Sequence, residues 1–120
     1  GNLEDIVESV LGKWFTQPFA ESHPDVMIEI RDMFLTTTLE GYINTSQTVC
    51  DMDLRPELTN ITVPTLVVCG KHDGATPPEW GMAIADAVPG AKTSTLDAAH
   101  MSNVEAAHEF TNTVLDFLGR

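Results

Sequence analysis

Apolar side chains near the start of the chain recur at intervals of three and four residues, the spacing of one face of an α-helix. The pattern is clearest in residues 2–15, where the apolar face comprises Leu3, Ile6, Val7, Val10, Leu11 and Trp14. Asn2 is a suitable N-cap, and Glu4 and Asp5 follow in the first turn, where acidic groups interact favourably with the helix dipole. The sequence therefore predicts a helix over residues 2–15.

Two further helices are predicted before residue 60, over residues 25–36 and 39–50. The inward face of the first of them is expected to comprise Val26, Ile30, Met33 and Phe34. The two prolines in residues 16–24 favour a connecting segment, and Pro56 limits residues 53–58 to a short helical turn. The first half of the chain is thus expected to be helical and to contain no strand.

The pattern changes in the second half of the chain. Residues 64–69 form a nearly continuous, β-branched apolar run, which is typical of a strand buried on both faces. The whole half is predicted to alternate, with strand 64–69, helix 78–88, strand 91–96 and helix 104–118. A β-α-β-α order implies parallel strands joined by a right-handed crossover.

Two parallel strands are too few for a sheet covered on both faces. The helical residues 1–60 cannot supply more, so we expect the chain to be the C-terminal part of a larger unit. Alone, the strands would expose unpaired backbone groups and apolar surface. We therefore expect the 120-residue chain to be stable only with an N-terminal part of the same protein that lies upstream of it, or when paired with a second copy of the chain.

The charge balance excludes some classes of function. The 120 residues contain 18 acidic and 6 basic residues, a net charge of −12, and no basic cluster that would suit nucleic acid. No apolar run is long enough to predict a membrane span, and no secretory signal is recognisable. Cys50 and Cys69 form no metal-ligand pattern. A cytoplasmic location is the expectation.

Candidate catalytic groups follow both predicted strands. Asp73 stands three residues beyond Gly70, and His100 closes the segment Asp97-Ala-Ala-His after the second strand. In open α/β sheets ligands bind outside the carboxyl ends of the strands. An acid that precedes a histidine also fits the chain order Ser, Asp, His of the α/β-hydrolase triad. The pattern predicts the acid and the base of a hydrolytic triad.

The residues around these two groups resemble a known family. Residues 61–118 resemble the C-terminal end of an α/β-hydrolase, specifically of the 3-oxoadipate enol-lactonase family. Residues 10–15, 40–42 and 53–55 resemble segments of the cap of that family, and residues 96–104 resemble its histidine loop. The resemblance covers nearly the whole chain. It implies an α/β fold in which a helical cap, residues 1–60, precedes the C-terminal β-α-β-α portion of the hydrolase core, residues 61–120.

The same resemblance implies roles for individual residues. Asp73 would be the triad acid and His100 the general base. Trp14 would line the pocket, Lys13 would contact the carboxylates of the substrate, and Met101 would lie beside the histidine. The implied reaction opens a lactone by water to give 3-oxoadipate during aromatic-compound degradation, with a small-molecule lactone as substrate and without metal or organic cofactor.

The chain departs from the family pattern at the nucleophile. None of its five serines, Ser9, Ser22, Ser46, Ser94 and Ser102, stands in a Gly-x-Ser-x-Gly elbow. We expect the serine to lie on an upstream segment and the 120 residues alone to be inactive. Another capped hydrolase, such as an esterase, a carbon–carbon bond hydrolase or a dehalogenase, remains an alternative. A non-catalytic interaction module is the other alternative.

Other residues have simpler interpretations. His72 and His108 do not occupy the position of the catalytic histidine. Asp97 and His100 could suggest a metal pair, but no third ligand is spaced to join them, so Asp97 is interpreted as shaping its loop. Trp14 and Met101 would, without the resemblance, be ordinary core residues.

Overall fold

The computed structural model describes residues 2–120. Its elements, in chain order, are a 3-10 turn (Leu3–Asp5), α1 (Val7–Trp14), α2 (Gln17–Ser22), α3 (Pro24–Leu35), α4 (Leu39–Asp51), a 3-10 helix (Arg55–Asn60), β1 (Leu66–Gly70), α5 (Pro78–Ala87), β2 (Lys92–Leu96), α6 (Ser102–Glu105) and α7 (Ala107–Phe117). Helices thus precede a short α/β portion, which confirms the predicted fold class.

The helical part has a core of its own. Its buried members are Leu3, Val7, Leu11, Phe15, Ile30 and Phe34. The apolar face predicted for residues 2–15 therefore points inward as expected. Its start is a 3-10 turn, in which the Asn2 side chain accepts from the N–H of Glu4 and the Asp5 carboxylate accepts from the N–H of Asn2. This reciprocal arrangement satisfies amide groups that a helix start leaves unpaired.

The prediction of a connecting segment over residues 16–24 was wrong, because most of it is the helix α2. Thr16 caps this helix by accepting a hydrogen bond of 3.4 Å from the N–H of Phe19. Pro18 lies in the first turn, where a missing N–H removes no helical hydrogen bond. The prolines therefore mark the starts of α2 and α3 and do not indicate a loop.

One residue of α3 was assigned to the wrong face. Met33 is 54% exposed, whereas Ile30 and Phe34 are buried. Successive helical residues are about 100° apart, so Met33 and Phe34 cannot both point to the centre of the same face. The pair Ile30 and Phe34, four residues apart, defines the inward direction.

Strands β1 and β2 are parallel, as predicted, with Leu66 opposite Lys92 and Gly70 opposite Leu96. Helix α5 forms the crossover between them. Within residues 2–120 the sheet has only these two strands, so neither outer edge is paired there. Trp80 and Ile84 on α5 lie beside β1 and remain 61% and 42% exposed. Within residues 2–120 the structure thus has an apolar face next to the unpaired outer edge of β1.

The last helix is divided, although the sequence predicted a single helix over residues 104–118. Helix α6 ends at Glu105 and α7 begins at Ala107. Ala106, with φ −122° and ψ 50°, interrupts the helical backbone between them. The break follows directly after Glu105, whose side chain contacts a distant part of the chain.

Candidate active site

The loops that follow β1 and β2 pass very close to each other. Beyond the strands, the N–H of Lys71 donates to the carbonyl of Leu96 at 2.8 Å, and the N–H of His72 donates to that of Ala98 at 2.9 Å. A Cβ atom at Gly70 would lie 2.1 Å from the carbonyl oxygen of Ala99. Only glycine allows this approach, which brings the two loops into contact.

Asp73 and His100 meet at this point. Nδ1 of His100 lies 2.8 Å from Oδ2 of Asp73, although the residues are 27 positions apart. The Asp73 side chain is 8% exposed and the His100 side chain 34% exposed. The carboxylate is therefore shielded, while part of the imidazole ring remains open.

The Asp73 carboxylate receives several hydrogen bonds from its own loop. Its Oδ1 accepts from the N–H groups of Ala75 and Thr76, both at 2.8 Å. Its Oδ2 accepts from the Thr76 hydroxyl at 3.0 Å, in addition to its contact with His100. Such an arrangement fixes the carboxylate in one rotamer and directs Oδ2 toward the imidazole.

The same contacts keep Asp73 ionised. Burial acts to raise the pKa of Asp73, but hydrogen bonds from Thr76, His100 and Ala75 outweigh it and hold the pKa below its ordinary value. An ionised carboxylate accepts the Nδ1–H of His100 and favours the tautomer in which Nε2 carries no proton. All hydrogen bonds that His100 makes with its ring, within residues 2–120, involve Nδ1.

Within residues 2–120 no hydroxyl or thiol is hydrogen-bonded to Nε2 of His100, and the Thr76 hydroxyl contacts Nδ1 at 3.2 Å. Cys69 lies near Asp73, but burial raises the pKa of its thiol and the charge of Asp73 raises it further. Cys69 is thus held as a neutral thiol.

A second histidine–aspartate pair bridges the same two loops. Nε2 of His72 lies 2.7 Å from Oδ1 of Asp97, and the side chains are 47% and 83% exposed. Asp97 therefore contacts His72 and has no hydrogen bond to His100 in the described part of the chain. His108 lies on α7 and contacts Asn112 at 3.1 Å.

The three residues predicted to contact the substrate lie at the junction between the helical part and these loops. The N–H of Met101 donates to the carbonyl oxygen of Trp14 at 2.9 Å. The ring of Trp14 packs edge-to-face on Phe34, with 5.8 Å between ring centroids. Lys13 is exposed and lies against the loop at Gly74. The structure thus places all three near the Asp73–His100 pair, while the ring of Trp14 also belongs to the core.

One hollow on the surface of residues 2–120 does not contain the Asp73–His100 pair. It has a volume of about 640 Å³ and is bordered by α2, His72, Asp97 and Glu105. A smaller hollow of about 280 Å³ is bordered by Asp73, Thr76, Trp80 and the residues of β1. The pair, and not the larger hollow, is the candidate site, because it contains a shielded, ionised acid joined to an accessible base.

Neither a metal cluster nor a membrane span is found in the part of the chain described. No three side chains of His, Cys, Asp or Glu in residues 2–120 are grouped so that they could hold a metal ion. No helix of the same residues is long and apolar enough to cross a membrane.

Two residues at the site were not recognised from the sequence. Thr76 could have been found, because an Asp followed three residues later by Thr at the end of a strand is a common turn pattern. Glu105 has no such signal, since its partner Thr16 is 89 residues away.

Comparison with known proteins identifies relatives that share the fold of this chain. The chain is 29% identical over 112 residues to 3-oxoadipate enol-lactonase 2 of Acinetobacter baylyi. This alignment covers 93% of this chain and 42% of that protein. The solved enol-lactonase of Burkholderia xenovorans superposes with a TM-score of 0.94 and 44% identity, over 98% of this chain and 45% of that one. A solved hydrolase of Pseudomonas aeruginosa superposes with a TM-score of 0.92 and 36% identity, over 99% of this chain and 45% of that one.

The chain therefore spans less than half the length of the relatives it matches, as expected for the C-terminal part of such a protein. The model of one family, described as TAP-like protein, matches residues 41–118. This match includes both strands and both members of the Asp73–His100 pair. The chain belongs to this family of α/β-hydrolases, and it resembles the C-terminal part of the 3-oxoadipate enol-lactonases.

Proposed function

We propose that this chain supplies the acid and the base of a serine hydrolase that opens 3-oxoadipate enol-lactone to 3-oxoadipate. The observation that carries the proposal is the 2.8 Å contact between His100 and a shielded Asp73. Support for the substrate comes from the likeness to two enol-lactonases. The nucleophilic serine would lie on a segment outside these 120 residues.

The geometry suggests how each group acts. Nε2 of His100 takes the proton of the serine hydroxyl as the serine attacks the lactone carbonyl. Asp73 stabilises the imidazolium that forms, through the hydrogen bond at Nδ1. His100 then gives this proton to the enol oxygen as the ring C–O bond breaks, and the enol tautomerises to the ketone of 3-oxoadipate. In the second half-reaction Nε2 takes a proton from the water that attacks the acyl-enzyme and returns it to the serine oxygen as that ester bond breaks.

Lys13 is the candidate for binding the substrate carboxylate. It is exposed and lies against the loop that holds Asp73. An ammonium group is a strong partner for a carboxylate, and a chain with a net charge of −12 needs a local cation to attract an anion. Trp14, next to it, would border the same pocket with its apolar ring.

The test is hydrolysis by the intact gene product that contains residues 1–120. We expect it to open the enol-lactone faster than it hydrolyses p-nitrophenyl acetate or cleaves a vinylogous 1,5-diketone. Preference for the acetate would indicate an esterase, and preference for the diketone a carbon–carbon bond hydrolase. Turnover of none of the three would contradict the proposal and favour a non-catalytic module.

We also propose that the partner of this chain is the N-terminal part of the same protein. The outer edge of β1 is unpaired within residues 2–120, and Val63, Trp80 and Ile84 expose apolar surface near it. Light scattering on isolated residues 1–120 should reveal aggregates or oligomers, which disappear when the upstream segment is present. A stable monomer of the isolated chain would contradict this proposal.

A further inference from the structure

The side chain of Glu105 joins the end of α1 to the loop that carries His100. Its Oε2 accepts from the N–H of Ala99 at 2.9 Å. Both of its oxygens accept from the N–H of Thr16 at 3.3 Å, and Oε1 also accepts from the Thr16 hydroxyl. A single carboxylate thus connects two segments that are more than 80 positions apart in sequence.

Glu105 has hydrogen-bond donors but no cation. Within residues 2–120 no Lys, Arg or His forms an ion pair with it. Two N–H groups and one hydroxyl donate to its oxygens, and a carboxylate accepts from all three. A glutamine would direct its NH₂ group toward one of these donors. If it faced the Thr16 hydroxyl, that hydroxyl would have to accept instead of donate, and the bonds from Ala99 and Thr16 would lose their charge assistance. Aspartate would be too short to reach both segments.

These contacts hold His100 from one side, and a second contact holds it from the other. Ala99, before the histidine, donates to Glu105, while Met101, after it, donates to the carbonyl oxygen of Trp14 at 2.9 Å. The N–H of Met101 thus contacts the end of α1 itself, and the N–H of Ala99 is joined to the residue Thr16 just after α1 through Glu105. The backbone of His100 is fixed relative to the first helix of the cap.

We propose that Glu105 is a positioning residue, which sets the place of His100 by joining Ala99 to Thr16. The inference rests on the proposed function, because it assigns Glu105 a role in the reaction that His100 performs. Glu105 does not touch the reacting atoms. Its effect is to hold the imidazole at the distance and angle that proton transfer requires, and a misplacement of about 1 Å costs roughly 100-fold in rate.

The experiment compares Glu105→Gln with Glu109→Gln in the intact gene product. Both changes remove one negative charge at constant size, but Glu109 is exposed on α7 and accepts no side-chain hydrogen bond in the described chain. We expect Glu105→Gln to lower kcat for the lactone by about 10- to 100-fold, with little change in KM, because positioning affects the transition state more than ground-state binding. Glu109→Gln should match the wild type.

Two further measurements separate positioning from stability. In Glu105→Gln, amide exchange at Ala99 should accelerate, and the low-field proton signal of the His100–Asp73 hydrogen bond should weaken or shift. Thr16→Ser keeps the hydroxyl and should preserve kcat, whereas Thr16→Val should lower it. Thr16→Val also removes the cap of α2, so its lower kcat supports the inference only if amide exchange at Ala99 accelerates with it. If Glu105→Gln does not fold, this combined result for the two Thr16 variants decides in its place.

The outcomes also distinguish this inference from the proposed function. Wild-type kcat in Glu105→Gln, together with faster exchange at Ala99, would overturn the positioning role and leave only a structural brace. If the wild-type protein hydrolyses no ester, the proposed function fails. The low-field proton signal then tests whether Glu105 positions His100. Loss of that signal in Glu105→Gln but not in Glu109→Gln would support the placement of His100 by Glu105, and an unchanged signal would overturn it.

Discussion

Two histidine–aspartate pairs bridge the same two loops, and their contact distances are almost equal. His100 and Asp73 are 2.8 Å apart, and His72 and Asp97 are 2.7 Å apart. Each pair takes one residue from the loop after β1 and one from the loop after β2. Distance alone therefore does not indicate which of them performs chemistry.

The aspartates differ in their surroundings. Asp73 is 8% exposed and accepts from two N–H groups and a hydroxyl in addition to the histidine, whereas Asp97 is 83% exposed and accepts from His72 alone within the described residues. The electrostatic interaction of a shielded carboxylate with its histidine is stronger than that of an exposed one, because less water screens it. The exposed pair should contribute almost nothing to stability or to catalysis.

The largest expected effect separates the two histidines. His100→Ala removes the base and should lower kcat/KM for the lactone by roughly four to six orders of magnitude. His72→Ala changes an exposed side chain and should alter it by about twofold or less. Steady-state kinetics of the two variants in the intact gene product measures the contrast. Equal losses in both would remove the distinction between the pairs.

The next effect separates the two aspartates. In Asp73→Asn, the carbonyl oxygen would accept from the loop amides and leave the NH₂ group facing Nδ1 of His100. The imidazole would then carry its proton on Nε2 and could not act as base, so kcat should fall by about 10⁴-fold. Asp97→Asn should retain wild-type kcat. Near-normal turnover in Asp73→Asn would show that Asp73 is not the triad acid.

The sequence was sufficient to predict the α/β class and the Asp73–His100 pair, because strand order and spacing determine which loops become neighbours. It was insufficient for α2, where the prolines were interpreted as a loop although they occupy helix starts. It also missed the division of the last helix at Ala106. Glu105 could not be predicted, because its role depends on the tertiary contact between Thr16 and Ala99 and has no local pattern.

The smallest expected effect is on the pH dependence of stability. The pKa of Asp73 is held below its ordinary value of 3.8, so the folded state binds its proton less readily than the unfolded state does. The contribution of Asp73 to the free energy of unfolding is therefore present above that pH and is lost as pH falls through the lower pKa of the folded state.

Asp73→Asn should remove this contribution. Each hydrogen bond that the ionised Asp73 accepts is worth about 1.5–3 kcal/mol. The hydrogen bonds that the asparagine still accepts reduce the loss of stability. Urea unfolding of the intact protein, measured from pH 7 to pH 2, should show the wild type more stable than Asp73→Asn at neutral pH, with the difference shrinking as Asp73 becomes protonated. The curve of Asp97→Asn should run parallel to that of the wild type. A wild-type advantage over Asp73→Asn that stayed constant down to pH 2 would mean that the ionised carboxylate does not stabilise the fold, and the shielded pair would then differ from the exposed one in catalysis only.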